Sequence, residues 1–167
     1  CDVYIEKFRI LENPRALDDV CREMADIVKD QNIQLVLGAA IGGILISGGV
    51  GRHLGVKHIF CERVNGIMKL RRGFSITKGQ RIVIVEDILT TGGSVVELFE
   101  LAERHGAEII HIVNLVDRSI HEVDFAVPST TLLKLPSESW EVEDCPLCEE
   151  GMAITQRGCS GKELETI

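Results

Sequence analysis

Apolar positions along the chain alternate between two rhythms, one helical and one extended. Behind Asn13-Pro14, a capping side chain followed by a ring that needs no donor, Leu17, Val20, Cys21, Met24, Ile27 and Val28 recur at helical spacing. Leu35–Leu37 reads as a short buried strand running into Gly38-Ala39-Ala40-Ile41-Gly42-Gly43. A helix is expected from Gly43 to His53, although Gly48, Gly49 and Gly51 each cost it about 1 kcal/mol relative to alanine. Lys57–Cys61 reads as a second strand, and the basic, glycine-containing stretch 63–79 as a hairpin or mobile loop.

The strongest strand is Arg81–Asp87, whose unbroken β-branched run belongs to a strand covered on both faces, hence to a parallel sheet. A helix follows from Gly93 to about His105, stopped by Gly106, and then a buried strand from Ile109 to Val116. Phe125–Val127 and Thr131–Leu135 are expected as short edge strands, and from Ser137 the tail is polar and irregular. Strand and helix alternate, which predicts an α/β fold: an open, mainly parallel sheet with helices on both faces and ligands beyond the carboxyl ends of the strands.

Composition narrows the class. A length of 167 residues fits one domain, here 1–167, and 45% apolar residues support a real core. No apolar run reaches the roughly 18 residues that cross a bilayer, and no signal-peptide pattern opens the chain, so a soluble, intracellular protein is expected. The chain begins without Met inside a segment read as extended and amphipathic, so a missing or processed N-terminus is expected. Twenty-six acidic against 18 basic residues leave a net charge of −8, which argues against wrapping nucleic acid. A small anion must then be held by a local site working against the global field.

Residues 83–95, VIVEDILTTGGSV, supply such a site. Glycines let backbone N–H groups converge, the hydroxyls of Thr90, Thr91 and Ser94 add donors, and the next helix presents its positive end. The acids Glu86 and Asp87 would repel a phosphate but suit the vicinal hydroxyls of a sugar. Together they describe a ribose 5-phosphate site; the plainer alternative is a tight strand-to-helix turn with a solvated acidic pair. A Walker loop is excluded, because no Gly-Lys-Ser/Thr follows the glycines.

This stretch closely resembles the binding motif for 5-phosphoribosyl 1-diphosphate (PRPP) of the type I phosphoribosyltransferase family. The resemblance implies that family's fold, with a flexible hairpin and a partial hood from the chain termini, the N-terminal part of the hood being truncated here. It carries Glu86 and Asp87 to the ribose and Thr90, Thr91, Gly92, Gly93 and Ser94 to the 5′-phosphate. Gly38–Gly43 lies where the family places its pyrophosphate loop, which implies PRPP contacts at Ala40 and Ile41; Ala39 and Gly42 stand where the family often has Pro and sometimes Lys. ERVNGIMKLRRGF at 62–74 resembles the mobile hairpin of the short orotate-specific members, so Arg63, Lys69, Arg71 and Arg72 would bring charge to the departing pyrophosphate. Arg63, Lys69 and Asp87 are thereby the implied catalytic residues.

Base choice rests on less. Asn114-Leu-Val-Asp-Arg118 resembles the Asp-Arg of orotate-specific members, and a guanidinium fork matches a carboxylate, so Arg118 is the expected orotate contact with Thr90 and Tyr4 beside it. The resemblance further implies transfer of ribose 5-phosphate from PRPP to orotate in pyrimidine biosynthesis, Mg²⁺ held mainly by PRPP, a cytoplasmic homodimer whose hairpin reaches the neighbouring subunit, and no acid–base dyad. A purine-specific member and a non-catalytic nucleotide-sensing regulator remain the alternatives. Cys145-Pro-Leu-Cys148, with Cys159, leaves plain thiols, a disulfide and a metal site open, and the five histidines show no metal-ligand spacing.

Overall fold

A computed structural model describes residues 5–138, 140 and 144–151. Tyr4, Cys1 and Cys159 lie outside the described residues. The elements run α1 (Phe8–Leu11), α2 (Pro14–Val28), β1 (Leu35–Ala39), α3 (Gly42–Leu54), β2 (Lys57–Val64), β3 (Ile67–Leu70), β4 (Arg81–Leu89), α4 (Gly93–Arg104), β5 (Glu108–Asp117), β6 (Ser129–Lys134) and α5 (Pro146–Glu149). Six strands form one sheet in the order β3-β2-β1-β4-β5-β6, parallel throughout except for β3 against β2. The α/β expectation with helices on both faces holds.

Successive residues of β4 serve opposite layers. Ile82 and Ile84 join Leu35, Leu37 and Ile112 beneath Val95, Leu98 and Ala102 of α4. Val83 and Val85 join Val36 and Val113 beneath Cys21 and Met24 of α2 and Ile46 and Val50 of α3. This two-sided burial is what the β-branched run demands. Asn13 caps α2 through its side-chain oxygen, which accepts from the N–H groups of Arg15 and Ala16. The glycines of α3 have a packing reason: a β-carbon on Gly49 would run into Cys21 Sγ, so α2 and α3 lie in close contact there.

The hairpin alternative for 63–79 holds, and two other expectations change. The stretch after Val64 is a hairpin continuous with the sheet, closed by Asn65 and Gly66, both with positive φ as a two-residue turn of this kind requires, and β2 extends past Cys61 to Val64. Phe125–Val127 is a turn: Asp124 Oδ1 accepts from Ala126 N–H, Ala126 is left-handed at φ 58°, and Phe125 packs into the α4 layer. The other expected edge strand, Thr131–Leu135, is present as β6, which begins at Ser129, directly after Pro128, and ends at Lys134. The opening segment is also not wholly extended, since Phe8–Leu11 forms a helical turn with Leu11 buried.

Candidate functional site

The sheet order places β1 and β4 side by side while their connections leave in opposite directions, and at such a switch point the loops part to leave a crevice. The loop after β1 (Ala40–Gly42), the end of β4 and the end of β5 meet there. β4 carries its two acids into its last turn, so Glu86 and Asp87 are only 6% and 4% exposed.

Asp87 is tightly defined. Its Oδ1 accepts from Ile88 N–H at 2.6 Å, and its Oδ2 lies 2.6 Å from Lys7 Nζ. A β-carbon on Gly42 would collide with that same Oδ2, so only glycine lets the β1 loop approach the acid. The neighbouring peptide bond, Ala40–Ile41, is cis, and Ala40 N–H donates to Cys61 O at 2.8 Å. Glu86 Oε1 accepts from Asp87 N–H at 3.0 Å, while Oε2 is buried without a hydrogen-bond partner among the described residues. Burial, reinforced by the charge of Asp87, pushes the Glu86 carboxyl up to about 8. Asn114 of β5 stands opposite Glu86, wholly buried, with its Oδ1 also unpartnered among the described residues and its Nδ2 3.5 Å from Ser129 Oγ.

Beyond the acids, Thr90 through Ser94 wrap a cavity of about 180 Å³ that Glu86 and Arg63 also line. Gly92 caps α4 in the left-handed region, φ 79°, with no side chain over the first turn, so the first N–H groups of the helix face the cavity. Added side-chain bulk at Gly92 would meet Val123 and Phe125. Arg63 reaches this cavity from β2, donating to Glu97 at 2.8 Å and to Ser94 Oγ at 3.4 Å.

A second cavity of about 580 Å³ shares Thr90 and Thr91 as its wall. Its far side is the loop after β5, from Arg118 to Asp124, with Ser137. Arg118 Nε donates to Ser137 Oγ at 2.8 Å, and Asp117 Oδ1 accepts from both the backbone and the hydroxyl of Ser119, fixing how the loop leaves the strand.

The structure thus brings together Glu86, Asp87, Thr90–Ser94, Arg63 and Arg118, with the 40–42 loop beside Asp87. The other hairpin cations sit elsewhere in this single chain: Lys69 is exposed opposite Glu62, and Arg71 and Arg72 pair with the Glu62 carboxylate at 3.2 and 3.1 Å. Sequence reasoning missed Lys7, Glu97, Ser137 and the wall at 119–124. Lys7 lies in a segment read as extended, and no spacing links it to Asp87 eighty residues on. Among the described residues no three His, Cys, Asp or Glu side chains gather to hold a metal ion, and Cys145 and Cys148 are free thiols. No helix of the described residues is long and apolar enough to cross a membrane.

Residues 8–148 match the family described as phosphoribosyl transferase domain. The chain is 43% identical over 157 residues to an orotate phosphoribosyltransferase from Caldanaerobacter subterraneus subsp. tengcongensis, covering 94% of this chain and 83% of that one. It is 42% identical to an orotate phosphoribosyltransferase from Thermotoga maritima, covering 95% and 84%. Among solved structures, UMP synthase of Leishmania donovani superimposes with a TM-score of 0.69 at 24% identity over 93% of this chain and 34% of that one. Adenine phosphoribosyltransferase of Thermoanaerobacter pseudethanolicus gives 0.65 at 18% identity over 75% and 84%. These two likenesses concern the fold.

Proposed function

The chain belongs to the phosphoribosyl transferase family, and from that premise we propose that it transfers the 5-phosphoribosyl group of PRPP to orotate, giving orotidine 5′-monophosphate and pyrophosphate. The observation that carries this reading is the shared wall of Thr90 and Thr91. It sets a pocket lined by Arg118 against a cradle lined by Glu86, with Asp87 next to it in the chain.

Each group has a task in that reaction. The hydroxyls and amides of Thr90–Ser94 hold the 5′-phosphate, and Glu86 and Asp87 take the ribose hydroxyls. Arg118 pairs with the orotate carboxylate, and Thr90 lies between base and sugar. With both substrates fixed, the sugar carbon passes from pyrophosphate to the base nitrogen through a cationic, oxocarbenium-like state, and positioning accounts for much of the rate. The loop at Ala40 and Ile41 receives the pyrophosphate, with Arg63 at the edge of the site and Lys69 and Arg71 supplied by the β2–β3 hairpin. In the proposed homodimer the hairpin serves the neighbouring subunit, which fits cations that its own chain leaves on Glu62. Mg²⁺ would be held with PRPP beside the two buried acids, Glu86 and Asp87, and would supply charge neutralisation for the leaving group.

The test is a base-panel assay with PRPP and Mg²⁺. Turnover with orotate and none with adenine, hypoxanthine or xanthine supports the reading. Preference for a purine overturns the base assignment, and PRPP binding without turnover of any base overturns the enzyme assignment.

A further inference from the structure

Lys7 is joined to the site through Asp87 and steadied by its neighbour Phe8. Its ammonium lies 2.6 Å from Asp87 Oδ2, on an acid whose side chain is only 5% exposed, whereas the other ion pairs among the described residues are more open. It also lies 5.5 Å from the centre of the Phe8 ring, within range of a cation–π contact. Behind it, Leu11 is buried and Phe8 packs against the α2–α3 layer, so the backbone that carries Lys7 is fastened to the fold.

The geometry at Asp87 Oδ2 is the informative part. Gly42 of the β1 loop presses on this oxygen from one side and Lys7 contacts it from another. The loop Ala40–Gly43 has no cationic side chain of its own. Lys7 therefore brings a positive charge to the junction between the acid that would take the ribose and the loop that would take the pyrophosphate. When a ribose hydroxyl donates to Asp87, the ammonium loses its sole claim on that oxygen and has a stronger partner within a side-chain swing, since a diphosphate offers more charge and more acceptors.

We propose that Lys7 is a substrate-binding residue that holds Asp87 in place before PRPP arrives and then passes its ammonium from Asp87 to the pyrophosphate group of PRPP. This rests on the PRPP reading of the site. It predicts an asymmetry that a merely structural lysine would not produce, because removing Lys7 takes a partner from the pyrophosphate but a competitor from the ribose.

Calorimetric titration of PRPP and of ribose 5-phosphate, both with Mg²⁺, into wild type, Lys7→Met and Lys7→Arg distinguishes these roles without any base present. The expected result for Lys7→Met is PRPP affinity weakened roughly tenfold, the loss of one charge-assisted contact, with ribose 5-phosphate bound as well as by wild type or better. Lys7→Arg recovers most of the PRPP affinity. Unchanged PRPP affinity in Lys7→Met overturns the assignment, as does a parallel loss for both ligands, which would make Lys7 only a support for Asp87. Wild-type protein that binds no PRPP overturns the reading of the site and this proposal with it.

Discussion

Glu86 and Asn114 occupy one register position on neighbouring parallel strands, and each buries a side-chain oxygen that no described donor reaches. Two facing acceptors are poorly served by an ionised carboxylate and well served by a protonated one, which has a hydrogen to give. The upward displacement of the Glu86 carboxyl to about 8 runs in the same direction.

The sign of the stability effect follows from linkage. Between the ordinary value of 4.5 and about 8, folded Glu86 keeps a proton that the unfolded chain has lost. Stability therefore falls as pH rises through that window, and the loss is complete above it. Glu86→Gln cannot ionise, so its melting temperature should lose this part of the pH slope and exceed that of wild type at pH 8, while PRPP affinity falls. Melting curves across the window check it, and equal slopes for both proteins would refute it.

Gly42→Ala should disable the site at a distance of one atom. The added methyl must displace the Asp87 carboxylate, with the overpacking cost of about 1–3 kcal/mol that a filled contact carries. PRPP affinity is expected to fall by at least tenfold, about 1.4 kcal/mol, in a titration monitored alongside the melting temperature.

Arg118→Ala should act on the base and spare the sugar. Loss of a charge-assisted bond of about 1.5–3 kcal/mol predicts a KM for orotate raised more than tenfold with the KM for PRPP nearly unchanged. Steady-state kinetics with each substrate varied separates the two, and equal effects on both would remove Arg118 from the base pocket.

Gly49→Ala reports on the fold alone. Alanine favours a helix over glycine by about 1 kcal/mol, yet here its β-carbon meets Cys21 Sγ between α2 and α3. The overlap outweighs the propensity, so a net loss of about 1–2 kcal/mol is expected from denaturant unfolding, with substrate affinities unchanged.

Periodicity made the layers legible because β4 and α2 write their burial directly into their spacing. The strand-turn-helix from Glu86 to Ser94 was legible for a related reason: its residues are contiguous, within nine positions. What could not be read were contacts made by the fold rather than by neighbours in the chain. Lys7 meets Asp87 across eighty residues, and Arg63 meets Glu97 across thirty-four. The turn at Asp124–Ala126 was hidden differently: its apolar residues resemble a strand, but an Asp side chain and a left-handed alanine break the extension.

The wall of Thr90 and Thr91 divides the crevice into two parts of different construction. The phosphate side is built from one uninterrupted strand-turn-helix, where a change at any position disturbs the rest. The other side is enclosed largely by a single surface loop, 118–124, held at its start by Arg118 N–H on Leu89 O of β4 and by Asp117 on Ser119. On the proposed reading, changes to a few loop residues alter the base side while the strand-turn-helix beside it stays intact.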